Sequence, residues 1–145
     1  MTRVIRSFTW IVVVVALAVL ASCRSRTGPT DELAGPWTGS ITDSVAGAGV
    51  MDVTIKRTGP ALSGSWSATF TVSGERRTGT FSGTLVGATV ATVFGYEPPM
   101  VCVGGETLPS TMAFTGTLSA NGLSGPYVTL TCSSARTGTI DLRRQ

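Results

Sequence analysis

Histidine is absent from this 145-residue sequence, and Lys56 is its single lysine. Without histidine there is no Ser-His-Asp triad, no Cys-His pair, no His-ligated metal and no imidazole general base. A Ser-Lys dyad has little support, because Lys56 is predicted near the end of the domain opposite its long loops. Glu75, Glu97 and Glu106 could meet at one end of the domain, but neighbouring arginines favour ion pairs over a hydrolytic carboxylate pair. We predict a protein that is not an enzyme, with no catalytic residues, no metal and no cofactor.

Charged side chains are also scarce. They make up 13% of the chain, and the formal net charge is +3. Arg3 and Arg6 lie in a segment that we predict to be cleaved, which leaves nine of the 11 basic residues against eight acidic ones. Such a near-neutral chain is no candidate for a nucleic-acid-binding protein. The length suits one domain, and an apolar fraction of 42% favours a folded one despite 18 glycines.

A long apolar run occurs only near the N-terminus. Two arginines and no acid precede residues 11–21, which are wholly apolar, and Ser22 and Cys23 close the run. This order is typical of a signal peptide, which we predict over 1–22. The run is shorter than the roughly 17 to 25 residues that a helix needs to cross a bilayer. We therefore expect cleavage and not a permanent transmembrane anchor.

Leu20-Ala21-Ser22-Cys23 resembles the lipobox of bacterial lipoproteins. The resemblance implies that a peptidase cuts before Cys23 after its sulfur has received a diacylglyceryl group. Acyl chains such as palmitate would then hold the protein to the lipid bilayer of the cell envelope. Residues 23–35 are predicted to be a flexible tether. By resemblance to the enterobacterial sorting rule, Arg24 in place of Asp implies the outer membrane over the inner one. An ordinary secretory signal with a chance cysteine is the alternative.

After the tether, the hydrophobic period is two. Apolar residues or glycine alternate with mostly hydroxylated ones through 62–70, and similar alternation recurs along the rest of the chain. The predicted strands lie near 36–42, 49–57, 61–72, 78–86, 88–94, 110–118, 122–132 and 136–143. No segment outside the signal peptide shows a helical period. We predict an all-β domain over 36–145, an antiparallel up-and-down meander of about eight strands that closes into a small barrel.

Glycine recurs in the pattern Gly-[Ser/Thr]-apolar, at Gly39, Gly64, Gly79, Gly83, Gly116 and Gly138. These glycines suit strand bending and close packing, which we favour, or an inner face left open for a ligand. Gly35-Pro36-Trp37 resembles the Gly-x-Trp signature of the calycin barrels, the lipocalin and avidin group. The resemblance implies the same architecture, and Arg143 matches the late arginine that packs over this Trp in that group.

Cys102 and Cys132 remain once Cys23 is assigned to the lipid. Neither belongs to a CxxC pair, and an exported chain with two such cysteines indicates one disulfide. Redox activity and metal binding are the alternatives. In an alternating meander both cysteines fall at the end of the barrel opposite the tether, which agrees with a bond between them. Below, this end is the distal end, and the end where the tether enters is the proximal end.

The long connections of the predicted barrel also lie at its distal end, and the longest runs over 95–109. Barrel mouths and their loops are common places for ligands and partners. The candidate binding residues there are Tyr96, Glu97, Met100, Val101, Arg76, Arg77 and Arg136. We predict a membrane-anchored binding module for a small apolar ligand or an envelope partner protein. A structural envelope component or a protein-type inhibitor with a filled core is the alternative.

Overall fold

The computed structural model describes residues 33–98, 100–101, 107–108, 110–130 and 135–145. Their strands are β1 (Gly35–Asp43), β2 (Gly47–Thr58), β3 (Ala61–Phe70), β4 (Arg76–Val86), β5 (Thr89–Gly95), β6 (Met100–Val101), β7 (Thr107–Leu108), β8 (Thr111–Ser119), β9 (Gly122–Leu130) and β10 (Ala135–Arg144). Eight of them close into one barrel in the order β1-β10-β9-β8-β5-β4-β3-β2, and β6 and β7 form a separate two-stranded ribbon. All barrel pairings are antiparallel. The predicted eight-stranded, up-and-down all-β barrel is confirmed.

The strand ends differ from the predicted ones by no more than two residues. Residues 1–32, which hold the predicted signal peptide, the lipobox cysteine and most of the tether, lie outside the described residues. The predicted disulfide partners Cys102 and Cys132 lie outside them as well. In the part of the chain that is described, no helix has the length and apolar character needed to span a membrane.

The interior of the barrel is filled with side chains. In β2, Met51, Val53 and Ile55 are buried while the residues between them are exposed, which is the expected pattern for one dry and one wet face. At the centre, a void of about 10 Å³ remains among residues that include Phe81 and Phe94. A void of this size is at the lower limit for a single water molecule. The described interior therefore has no room for an organic ligand.

Aromatic rings take the space beside four of the six recurring glycines, and the next strand crowds the other two, Gly39 and Gly83. A Cβ atom on Gly138 would lie 2.6 Å from the ring of Tyr127 and 1.9 Å from the carbonyl oxygen of Thr42. A Cβ atom on Gly64 would lie 2.7 Å from the ring of Phe81. The other glycines of the repeat meet neighbours at similarly short distances. These positions provide close packing between strand and ring and do not leave an open ligand chamber.

Candidate binding site

The inner face of the barrel becomes polar at its distal end. Asp43, Arg77, Ser110 and Thr129 are all buried there, with at most 9% of each residue exposed. They continue the alternation that turns Ile41, Phe81, Met112 and Tyr127 inward along the same strands. Side chains along a strand alternate between its two faces, so these polar residues face the core. A polar group buried there needs a hydrogen-bond partner.

Asp43 is the centre of a buried hydrogen-bond network. Its Oδ1 accepts from the backbone N–H groups of Val45 and Ala46, both at 2.9 Å, and thereby closes the turn after β1. Its Oδ2 accepts from Nη1 of Arg77 at 3.0 Å and from the hydroxyl of Tyr127 at 3.1 Å. Burial raises the pKa of Asp43, but these four donors outweigh it and hold the pKa at about 2. The carboxylate is therefore ionised at neutral pH.

Arg77 carries the opposite charge of this network. Its Nε and Nη2 donate to the two carboxylate oxygens of Glu75 at 2.7 and 3.1 Å, a bidentate pair. The guanidinium lies 4.5 Å from the ring centre of Phe70. Burial lowers the pKa of Arg77, but the bonds to Glu75 and Asp43 raise it more, and the bond from Arg77 lowers the pKa of Glu75. Arg77 thus stays charged and closes the distal end of the core.

A cleft of about 190 Å³ opens above this network. It is lined by Glu75, Arg76, Arg77, Thr78, Tyr96, Glu97, Pro98, Ser110, Thr129 and Arg136. Its aromatic wall is Tyr96, whose ring meets Trp66 edge to face at 5.3 Å, and Trp66 packs in the same way on Phe94 of the core. The backbone of Glu97 pairs with Thr78 of β4 at 2.9 Å. The cleft is therefore built on packed core residues and paired backbone.

Two polar atoms of the cleft residues lack partners. The Oγ of Ser110 and the Nε of Arg136 are closed off from solvent and make no hydrogen bond. The adjacent hydroxyls of Tyr96 and Thr129 are instead bonded to each other at 3.2 Å. Buried polar groups are almost always paired in native proteins, so an exception at a cleft is a candidate ligand contact.

The structure brings most of the predicted binding residues together. Arg76, Tyr96, Glu97 and Arg136 line the cleft, and Arg77 lies at its floor with its donors engaged by two carboxylates. Met100 and Val101 belong to β6, farther along the same connection, where they pair with Leu108 and Thr107. The predicted ion pairing at this end is present between Glu75 and Arg77.

Sequence reasoning missed three residues of this end: Asp43, Ser110 and Thr129. Each is an even number of residues away from the buried residues of its own strand. A polar residue at such an inward-facing position is therefore the feature of the sequence that could have identified them. Such a position lies where a strand ends and a loop begins. The alternation alone therefore does not tell a buried polar side chain from an exposed loop residue.

The proximal end has a different arrangement. The indole Nε1 of Trp37 donates to the carbonyl of Leu33 at 2.9 Å, and Leu33 itself is fully buried. The register pairs Trp37 with Arg144, whereas Arg143 is opposite Thr38. The match of Arg143 to the late arginine of the calycin barrels stays a prediction, and both Arg143 and Arg144 lie beside Trp37. A depression of about 730 Å³ beside Trp37 and both arginines contains none of the buried unpartnered polar atoms of the described chain.

The chemistry available at the distal cleft is recognition through donors, charge and an aromatic wall. Within 33–98, 100–101, 107–108, 110–130 and 135–145, no group of three or more His, Cys, Asp or Glu residues is placed to hold a metal. The cleft contains two arginines outside the buried network, Arg76 and Arg136, and one exposed acid beyond it, Glu97. Such a set suits binding of a small polar group beside an apolar one.

Comparison with known proteins gives the fold only. No protein-family model and no curated protein matches the sequence. A solved structure described as a redesigned beta barrel is similar, with a TM-score of 0.56 and 19% sequence identity. The match covers 83% of this chain and 99% of that one. At this identity the likeness extends to the closed barrel and not to a function.

Proposed function

We propose that the chain is an exported lipoprotein, acylated at Cys23, whose barrel binds a small ligand or a partner protein at its distal mouth. The distal cleft is the observation that carries the binding proposal, because it is concave, packed against core aromatic rings and lined by polar groups. The packed interior supports a ligand at the mouth and not one enclosed by the barrel. The lipobox supports attachment to the envelope, with Arg24 favouring the outer membrane.

The position of the tether supports an outward-facing cleft. β1 begins at Gly35 at the proximal end, and the cleft lies at the other end of the strands. A strand of ten residues, at about 3.3 Å per residue and a tilt of about 40°, spans roughly 25 Å of the barrel axis. An anchor at Cys23 would therefore hold the proximal end near the lipid and present the cleft away from it.

Labelling with a palmitate analogue tests the anchoring. The wild-type chain, expressed in a bacterial host, should incorporate the label and partition with membranes, whereas Cys23→Ala should do neither. Ser25→Ala, just outside the lipobox, is the matched control and should be labelled like the wild type. Persistent labelling of Cys23→Ala would reject lipidation at this cysteine.

Capture of partners from an envelope extract tests the binding role. The mature protein should retain a specific ligand or protein, and Tyr96→Ala or deletion of 97–100 should abolish retention. Val86→Ala, at an exposed proximal turn, should retain it. Circular dichroism and thermal unfolding establish that each variant is folded. Unchanged retention by both distal variants would exclude the distal mouth as the binding site.

The packed interior also favours a second candidate, a structural envelope component or a protein-type inhibitor with a filled core. The void of about 10 Å³ is the observation behind it. Native mass spectrometry of the purified protein separates the two candidates. A retained small-molecule mass supports the binding module. With no such mass, capture of a protein that survives both Tyr96→Ala and deletion of 97–100 supports the second candidate.

A further inference from the structure

Two hydrogen-bond donors of the distal cleft are unused. The Oγ of Ser110 and the Nε of Arg136 are both buried and unpaired, and Ser110 is only 3% exposed. Leaving a buried polar group without a hydrogen-bond partner costs free energy. Such groups are rare in native proteins, and one beside a cleft is a candidate for contact with a ligand or an ordered water.

Among the residues that the structure describes, no neighbouring side chain accepts a hydrogen bond from either donor. The hydroxyls of Tyr96 and Thr129 bond each other at 3.2 Å. Both carboxylate oxygens of Glu75 accept from Arg77, at 2.7 and 3.1 Å. In the described part of the chain Arg136 forms no ion pair. The missing partner is therefore an acceptor, and beside a guanidinium an anionic acceptor binds more strongly than a neutral one.

The charges of the cleft limit that anion to one negative charge. Glu75 and Glu97 line the same space, and a dianion such as a phosphate would face both carboxylates. A monocarboxylate has one charge to place, and its two oxygens can accept from the two free donors. The chemistry of the donors and the nearby acids thus favours a carboxylate.

The size and walls of the cleft describe the rest of the ligand. Its volume of about 190 Å³ exceeds the roughly 150 Å³ of a cavity that binds benzene. The half-buried ring of Tyr96 and the exposed ring of Pro98 provide apolar contact in the same cleft as the two donors. A compact apolar or aromatic group next to the carboxylate matches this space.

Resting on the proposed binding function, we propose that the distal cleft receives one carboxylate attached to a small apolar body, with Arg136 Nε and Ser110 Oγ as its donors. This chemistry has two sources: a free organic acid, or the last residue of a peptide with its terminal carboxylate.

Benzoate is the probe for the free acid, and the uncharged benzamide is its matched control. Titration of the full mature protein in detergent micelles, followed by backbone amide NMR, should give a Kd of about 1 mM for benzoate. The shifts should centre on Ser110 and Arg136. Benzamide should bind at least about tenfold more weakly, because it lacks the charge. Equal binding of both probes, or shifts confined to other regions, would overturn the proposal.

Variants assign the two donors. Arg136→Gln should weaken benzoate by about tenfold or more, and Ser110→Ala by about fivefold. Arg143→Gln makes the same change at the proximal end and should leave the Kd unchanged. Arg136→Lys should bind between the wild type and Arg136→Gln, since it keeps the charge without the Nε position. Wild-type affinity in Arg136→Gln would contradict the assignment.

A pair of short peptides, one with a free C-terminal carboxylate after phenylalanine and one amidated, distinguishes the sources. Peptide binding at least tenfold tighter than benzoate, lost on amidation, assigns the cleft to a chain terminus. Binding of benzoate alone assigns it to a free acid, and binding of neither overturns the carboxylate proposal.

Capture from the envelope extract keeps this proposal separate from the proposed function. A captured ligand or partner that is lost with Tyr96→Ala but retained by Arg136→Gln would preserve the binding role and reject the carboxylate site. If both variants lose the captured ligand or partner, the proposed binding role and the carboxylate site are both supported. If both variants retain the ligand or partner, the distal mouth is not its binding site. The benzoate titration then decides whether the distal cleft still binds a carboxylate.

Discussion

The two ends of the barrel close the same core by different physical means. At the proximal end the inward side chains are apolar: Leu33, Ile55, Leu62, Leu123 and Leu142 are each at most 4% exposed. At the distal end the inward positions hold Asp43, Arg77, Ser110, Thr129 and Arg136. The proximal end is stabilised by removing apolar surface from water, which is non-directional. The distal end depends on hydrogen bonds and ion pairs, which require defined positions.

The difference also separates the charges of the two ends. Lys56, Arg57, Arg143 and Arg144 lie at the proximal strand ends, and the acids Asp43, Glu75 and Glu97 lie at the distal end with Arg76, Arg77 and Arg136. If the proposed anchor holds the proximal end near anionic lipid, each of these basic residues would contribute at most about 1 kcal/mol. A balanced distal end, partly unsatisfied, fits selective recognition. In this barrel, apolar packing closes one end, and the proposed recognition site lies at the other.

Removing the centre of the distal network should have the largest effect. Asp43→Ala leaves Arg77 with one buried partner fewer and deprives two backbone N–H groups and Tyr127 of an acceptor. Breaking a buried pair from one side typically costs about 4 kcal/mol. Urea unfolding at pH 7 measures the loss. Asp141→Ala, an exposed acid on β10, is the control and should change stability by no more than about 0.5 kcal/mol. Similar losses in both variants would show that the network adds nothing.

The packing of ring on glycine at the distal end should come next. Gly138→Ala places a methyl group against the ring of Tyr127 and the carbonyl of Thr42, so strand or ring must move. Overpacking of this kind costs about 3 kcal/mol. Gly95→Ala is the matched control, because the nearest atom to its Cβ would be 3.8 Å away. Thermal unfolding measures the stability of both variants. If Gly138→Ala is as stable as Gly95→Ala, the ring and strand around Gly138 can move to accommodate the methyl group without loss of stability.

The alternation in β2 and β3 predicts the barrel because strand, face and turn are each encoded within about ten consecutive residues. It also places Tyr96 and Arg136 at one end, since successive turns of a meander alternate. What it does not predict depends on register. The partner of Arg77 at 3.0 Å is Asp43, 34 residues away, and only pairing through the sheet brings them together. The pairing of Trp37 with Arg144, and of Thr38 with Arg143, likewise follows from the register between β1 and β10.

Acid should weaken the distal end and spare the proximal one. The pKa of Asp43 is about 2 in the folded protein against 3.8 for the free side chain, so its stabilisation is complete above pH 4 and is lost as the pH falls through 2. The shift corresponds to about 2 kcal/mol. The lowered pKa of Glu75 acts in the same direction. Urea unfolding from pH 5 to pH 2 should show this slope in the wild type.

One variant at each end of the barrel tests whether the pH dependence of stability comes from the distal network. Leu142→Ala removes proximal apolar packing at about 3 kcal/mol and should keep the wild-type slope between pH 5 and pH 2. Asp43→Ala lacks the titrating group and should show a flatter profile. A steep profile in Asp43→Ala would assign the acid sensitivity to other carboxylates.

The smallest expected effects concern two buried hydroxyls that have no hydrogen-bond partner, those of Thr92 and Ser110. Thr92 is 5% exposed in the core, and its Oγ1, like that of Ser110, has no partner. Thr92→Val and Ser110→Ala each remove an unsatisfied hydroxyl and should stabilise the fold by about 1 kcal/mol. Only Ser110→Ala should also weaken benzoate, because Thr92 faces the central void and not the distal cleft. Stability is measured by urea unfolding and binding by NMR titration on the same samples. If both variants gain stability and benzoate affinity is unchanged, the hydroxyl of Ser110, like that of Thr92, has no role in binding. Arg136 would then be the only one of the two proposed donors that binds the carboxylate.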